Sequence, residues 1–466
     1  MPVSLSSRRR SVGSLTARRS PSPGPALATS LLGFFVITLD ALIVHVALPS
    51  IRADLGGGIT GLQWVVDGYT LLFAALLLSA GALSDRIGAR QAYAVGIALF
   101  IVASAACGLA PSLGALVAAR LAQGAGAAVM MPATLSLIRE AYPDPVKRAR
   151  AISLWAVGGA VASAAGPLAG GALSLISWRM IFFINLPVGL VALFILTRVA
   201  RSPQRAVPFD WMGQVTSILA MGALTYGAIE AGTLGFAAPE VLIALAVAAV
   251  ALFAFVLAQA RGKHPMVPLD LFQSRTVVIS VSVGFALTAG FFGMVFLLSL
   301  YVQEDRGLTP LEAGLLFVPM TLLTGFVNSS AARVAERLGP RVPVAVGQLL
   351  MVVGLASLCF VSSATPTWTM AVLMIPVATG IALAAPPLTA LLLDSVPAER
   401  TGMASGLLNT CRQLGGALAI AVFGALLAHA PTFVDGMRAG LLISAALLLA
   451  TGTASLLLRG RTTRRG

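Results

Sequence analysis

With 466 residues, 58% of them hydrophobic and only 10% charged, and a mean hydropathy of +0.93, the chain has too little polar surface to stay dissolved as a globule. It reads as an all-α polytopic membrane protein. The formal net charge of +14 would suit a nucleic-acid partner, yet aromatic-interleaved basic patches are absent and the arginines gather at the ends of apolar runs, so no nucleic acid is expected and the charge is a topology signal. Cys107, Cys359 and Cys411 all lie within apolar runs at unrelated spacings, which suggests neither a disulfide framework nor a zinc site.

Residues 1–25 hold Arg8, Arg9, Arg10, Arg18 and Arg19 among Ser, Pro and Gly without an acid, and are expected to form a disordered basic cytoplasmic tail. The Ser7-Arg8-Arg9 string has the look of an export signal, but the apolar segment begins too late and has no clear cleavage site. Fourteen apolar runs follow, at 27–48, 62–83, 91–109, 113–138, 150–174, 180–198, 213–231, 239–259, 276–301, 312–332, 343–362, 368–393, 403–428 and 437–458. Most are near the length of about 20 residues that crosses a bilayer, and helices are the spanning form that leaves no backbone group unpaired in lipid. If both termini are inside, 25 of the 31 basic residues fall on the inner side and only Arg52, Arg179, Arg306 and Arg438 on the outer; Arg120 and Arg412 lie inside runs. That asymmetry predicts a multi-pass protein of the cell membrane with cytoplasmic termini.

An internal repeat is also visible. Asp85-Arg-Ile-Gly-Ala-Arg90 after the second run recurs as Glu336-Arg-Leu-Gly-Pro-Arg341 after the tenth, 251 residues on, and the connections after runs four and twelve match loosely. Setting runs seven and eight aside as an insertion leaves two parallel six-helix halves. The expected organisation is 1–25 tail, 26–200 first bundle, 201–265 linker with two extra helices, 266–460 second bundle, and 461–466 basic tail.

Within this frame the ionisable groups at membrane depth are the functional candidates, because each needs a partner, a wet cavity, or both. Asp40 sits eight residues before the end of its run at Leu48, and Arg120 seven after the start of its run at Leu113. At ~1.5 Å per residue both lie roughly 10 to 12 Å below the same boundary, so they can pair. Asp40 can then alternate between a proton and Arg120 or a cationic substrate, with Gln123, nearly one turn from Arg120, as relay; a purely structural ion pair is the plainer alternative. Arg412 is a second buried cation, able to hold an anionic substrate group or to pair with backbone carbonyls, Gln413 or Asn409. Asp67 and Glu230 lie near outer helix ends, where hydration is expected. The second half shows no midplane acid, so neutral or monocationic amphiphiles fit better than dications. His264 and His429 are expected to be solvated. No phosphate-binding loop with lysine occurs, which disfavours ATP drive within the chain, and no nucleophile or metal-ligand constellation points to an enzyme.

The motifs then carry a resemblance. Gly81-Ala-Leu-Ser-Asp85-Arg86-Ile-Gly88-Ala-Arg90 is similar to the gating loop of the major facilitator superfamily, with Ala89 where a basic residue is usual. Arg120-Leu-Ala-Gln123-Gly124-Ala-Gly126 resembles that family's fourth-helix proton-transfer motif. Gly166-Pro167-Leu-Ala-Gly170-Gly171, preceded by Gly158-Gly159, looks like its antiporter motif. The stretches around Asp40, Trp64, Trp178 to Pro187, Phe209 to Trp211 and Asn409 to Gly416 resemble the fourteen-helix drug:proton antiporter branch, with His45 where that branch has Asn. The resemblance implies a major facilitator fold of 14 transmembrane helices arranged 6 + 2 + 6, and a secondary antiporter, working as a monomer without cofactor or metal, that exchanges protons for amphipathic small molecules. Asp85 is then expected to meet the chain near Thr401 to Ala404 when the outside is open, and His45, Asp67, Asn409 and Arg412 to border the substrate pathway. Export of an endogenous metabolite or a self-made antibiotic, or a sensor that does not transport, would use the same scaffold.

Overall fold

The computed structural model describes residues 23–204, 208–397 and 400–458. The basic tails, apart from residues 23–25, lie outside these, as do Arg205, Glu399 and Arg459. Among the described residues every regular element is helical. They are α1 (Gly24–Leu55), α2 (Gly58–Ile87), α3 (Ala89–Gly108), α4 (Leu113–Ala141), α5 (Pro145–Ser174), α6 (Met180–Phe183), α7 (Asn185–Leu196), α8 (Trp211–Leu234), α9 (Pro239–Arg261), α10 (Arg275–Leu300), α11 (Pro310–Leu338), α12 (Arg341–Leu358), α13 (Thr367–Asp394), α14 (Thr401–His429) and α15 (Phe433–Ser455). Among the described residues thirteen helices are long and apolar enough to span, and the sixth run is the exception: it is a shorter apolar stretch, Met180–Leu196, in which α6 and α7 meet at Ile184. The first helix begins at Gly24, so the tail ends before the expected residue 25.

The helix starts follow local chemistry. Ser112, Asp144, Asp210, Thr309 and Thr432 each accept from a backbone N–H of the first turn, and Thr309 and Glu312 form a reciprocal capping box. The internal repeat is carried into three dimensions at its turn glycines. Gly88 after α2 and Gly339 after α11 both have positive φ, 88° and 79°, which an L side chain rarely adopts.

Helices α1 to α7 pack as one bundle and α10 to α15 as a second; α2 lies on α14 and α5 on α11. Helix α8 touches both bundles through α2 and α14, and α9 leans on α8 with Leu242, Val247, Val250, Leu252 and Phe253 exposed, as suits a helix facing lipid. The two halves are tied together at the end of the molecule away from the termini. There Ser299 donates to the His45 carbonyl at 2.7 Å, Gln303 to the Val46 carbonyl at 3.1 Å, and Gln63 to the carbonyls of Ile420 and Ala421 at 2.9 and 2.6 Å. Arg52 and Glu304 form an ion pair of 2.9 Å beside them. A π-helical turn, Tyr301–Asp305, closes α10 at this point and carries both Gln303 and Glu304. At the termini end the same helices are looser: Gly81 and Gly402 face open space, and Asp85, Arg86 and Met403 are exposed.

Candidate functional site

Close helix approach builds the site. A Cβ at Gly124 of α4 would collide with the Tyr69 carbonyl of α2, and a Cβ at Gly126 would lie 2.8 Å from the Gly96 carbonyl of α3. These glycines let α4 sink between α2 and α3. One turn before Gly124, Arg120 is thereby brought against α1 and α2 with 1% of its surface exposed.

Arg120 Nη1 donates to Asp40 Oδ2 at 2.5 Å and to Gln123 Oε1 at 2.9 Å, while its Nε donates to the Val65 carbonyl at 2.9 Å. Its guanidinium carbon lies 4.4 Å from the Tyr69 ring centroid, a cation–π contact. Gln123 Nε2 donates to Asp40 Oδ1 at 2.8 Å. Asp40 and Gln123 are completely buried. Taking both charges out of water costs several kcal/mol per ion, and this geometry offsets that cost because both carboxylate oxygens and two of the three guanidinium nitrogens are hydrogen-bonded.

A further partner completes the cluster. Asn185, the first residue of α7, donates Nδ2–H to Asp40 Oδ1 at 2.8 Å and to Ser104 Oγ at 3.0 Å. Ser104 also accepts from Gln123 and donates to the Phe182 carbonyl at 2.8 Å. Asn185 falls inside the Trp178 to Pro187 stretch, to which the sequence assigns no role at the site, and Ser104 lies outside every motif. The signal was present for Asn185, since a buried amide inside an apolar run needs partners for the same reason Asp40 does.

Between the halves lies a cleft lined by Ala41 and His45 of α1, Val66, Tyr69 and Thr70 of α2, Phe292 of α10, and Gln413, Gly416 and Ile420 of α14. It holds about 20 Å³ of room, which suits roughly one water. Tyr69 walls it from Arg120. His45 is 1% exposed, and neither ring nitrogen has a hydrogen-bond partner.

The other candidates fall elsewhere. Asp67 is buried where an exposed, hydrated acid was expected: it is 0% exposed and neither carboxylate oxygen has a hydrogen-bond partner among the described residues, because α2 is covered at this level. Glu230 is half-buried and accepts from Trp64 Nε1. Arg412 bonds to the Ala385 carbonyl at 3.1 Å and the Thr389 hydroxyl at 3.0 Å on α13, in place of Gln413 or Asn409. Asn409 bonds to the Ser405 carbonyl of its own helix. Asp67, Asn409 and Arg412 are not among the residues lining the cleft. In the charged turn, Arg90 donates Nε–H to the Leu196 carbonyl and its backbone N–H to Ser202 Oγ, so the segment leaving α7 straps the turn while Asp85 and Arg86 project outward. In α5, Gly158, Gly166 and Gly170 meet Leu31, Leu42 and Ile43 of α1, and Gly171 meets Pro310 and Leu311 of α11; the Pro167 carbonyl abuts Gly314. Among the described residues no group of three or more His, Cys, Asp or Glu is placed to hold a metal ion.

Residues 30–420 match the sequence profile of the Major Facilitator Superfamily. The chain is 38% identical to the Multidrug resistance protein Stp of Mycobacterium tuberculosis (strain CDC 1551 / Oshkosh), over 85% of this chain and 74% of that one. It is 37% identical to the Methylenomycin A resistance protein of Streptomyces coelicolor, over 88% and 87%, and 34% identical to the Tetracenomycin C resistance and export protein of Streptomyces glaucescens, over 87% and 76%. Among solved structures, a POT family transporter superposes with a TM-score of 0.71 at 15% identity, over 94% of this chain and 96% of that one. The D-xylose-proton symporter superposes at 0.66 and 14%, over 95% and 99%.

Proposed function

This chain belongs to the Major Facilitator Superfamily, and from that premise we propose that it is a proton-coupled antiporter exporting amphipathic small molecules, drugs or antibiotics among them, by alternating access. The observation that carries the reading is the buried Asp40–Arg120 pair set one side chain behind the cleft between the halves. A carboxylate that binds either a proton or a guanidinium, next to a surface both halves share, links protonation to the movement of one half against the other. Relatives named for resistance to several drugs, to methylenomycin A and to tetracenomycin C support a drug or antibiotic as cargo.

In this mechanism bundles 26–200 and 266–460 rock against each other and the pair α8 and α9 rides at their margin. Both termini are cytoplasmic, which makes the tied end the outer one and the present arrangement closed to the outside. A proton arriving from outside neutralises Asp40, frees Arg120 from its ion pair and favours the inward-facing state; its loss to the cytoplasm restores the pair. Cargo enters beside Tyr69, Phe292 and His45, whose unbonded ring nitrogens offer one donor and one acceptor. One copy suffices, with the proton gradient as the only drive.

The test is efflux from intact cells of an efflux-deficient host, run with and without an uncoupler. Wild type is expected to expel a dye or antibiotic only while the gradient lasts, and Asp40→Asn to expel none. Gradient-driven efflux by Asp40→Asn would sink the proposal.

A further inference from the structure

Every group that reaches the Asp40 carboxylate offers it a hydrogen. Oδ2 accepts from Arg120, and Oδ1 from both Gln123 and Asn185. That shell suits a carboxylate and leaves a carboxylic acid with nowhere to send its own O–H. The titratable and charged neighbours from each packed element do not supply the missing acceptor. Arg120 of α4 has only donors. Tyr69 of α2 gives its hydroxyl to the Ile37 carbonyl, and Cys107 of α3 gives its thiol to Gln123 Oε1. His45, five residues along α1, lies about 140° around the helix from Asp40 and makes no hydrogen bond to it.

An acceptor therefore has to come from an amide turning over, and the two amides are not equivalent. Gln123 Oε1 already holds Arg120 Nη1 and Cys107 Sγ, so rotating it breaks two interactions. Asn185 Oδ1 is buried and holds none. Asn185 is the first residue of α7, two before Pro187, which has no N–H to give the helix.

We propose that the Asn185 amide is the positioning element that switches with the proton. It donates Nδ2–H to ionised Asp40, and turns about its Cβ–Cγ bond so that Oδ1 accepts the O–H of neutral Asp40. The proton comes from water on the side to which the site is open, and the new O–H bond forms on Asp40. Arg120 leaves the carboxylate but keeps Gln123 Oε1 and the Val65 carbonyl, and the Ser104 hydroxyl is free to rotate from the Phe182 carbonyl toward the turned Oδ1. This rests on Asp40 being the proton carrier.

Infrared difference spectra between acid and alkaline pH, recorded on the full chain in lipid, test both layers separately. Wild type is expected to show a protonated-carboxyl carbonyl band that Asp40→Asn removes; absence of an Asp40-dependent band overturns the carrier role and this inference with it. In Asn185→Leu the band is expected to move to higher frequency, since the acid has lost its acceptor, and transport to slow about tenfold, as for one hydrogen bond to a charged group, with KM for cargo little changed. A band that stays in place in Asn185→Leu overturns the switch and leaves the carrier role standing. Should that variant not fold, wild type labelled with amide-15N asparagine gives the answer, because the chain has three asparagines, Asn185, Asn328 and Asn409. A label-sensitive amide band that titrates with the Asp40 band supports the switch, and no such band overturns it.

Discussion

Among single residues, Asp40 and Arg120 illustrate how strongly burial sharpens the consequence of a substitution. Removing one partner of a buried ion pair leaves an uncompensated charge, which costs about 3–5 kcal/mol. Arg120→Ala is accordingly expected to lower the yield and melting temperature of detergent-solubilised protein. Asp40→Asn keeps the side-chain shape but sets an amide NH2 among donors and leaves Arg120 uncompensated, so its efflux is read at membrane levels matched to wild type, where proton-driven exchange is expected to fail. Asp67 carries the opposite expectation. Its carboxylate is buried without a bonded partner, a cost in free energy. Asp67→Asn should therefore raise the melting temperature, and a fall measured by thermal unfolding would show that Asp67 has a stabilising partner. Depth arithmetic foresaw the Asp40–Arg120 pairing, since both residues count the same number of turns from one boundary. It could not foresee Asn185 joining them, because which face of a short helix turns inward depends on where that helix is docked.

At the scale of elements, the glycines of α5 act by what they leave out. A Cβ at Gly170 would lie 2.7 Å from the Ile43 carbonyl, and one at Gly171 2.6 Å from the Pro310 carbonyl. The first presses α5 onto α1 within its own half; the second presses it onto α11 of the other. Overpacking a tight contact costs about 1–3 kcal/mol, so Gly170→Val is expected to destabilise the first bundle. Gly171→Val is expected to oppose closure of the tied end instead, lowering efflux about tenfold or more while membrane levels on immunoblots stay near wild type. Gly114→Ala, where the added carbon meets open space, should leave efflux unchanged and gain up to about 1 kcal/mol of helix propensity. Equal loss in all three would remove the contact argument. Sequence motifs marked these glycines as a group, but only the packing divides them into those that serve one half and those that bridge two.

For the molecule as a whole, the tied end is a set of hydrogen bonds to backbone carbonyls reinforced by one ion pair, Arg52 with Glu304. That pair is partly exposed, so it contributes about 1 kcal/mol at most. Glu304→Ala should thus shift the balance between the two arrangements by no more than about fivefold, read as the rate at which a thiol reagent reaches a cysteine placed at Ser299. Joining Arg52→Cys to Glu304→Cys with a bifunctional thiol reagent is expected to stop efflux, and a reducible linker to restore it on cleavage; undiminished transport in the joined protein would mean the tied end never opens. The helical class, the spans to within a few residues, the duplication and the buried charge pair were all legible in the chain, because hydropathy, charge asymmetry and turn glycines are local properties that lipid and water read residue by residue. Tertiary structure alone decided that Asn185 of the sixth run turns onto Asp40, that Asp67 is buried, that Arg412 is spent on α13, and which end of the two halves is tied. Each of these depends on contacts between helices far apart in sequence, and such contacts leave no trace in the periodicity of any one helix.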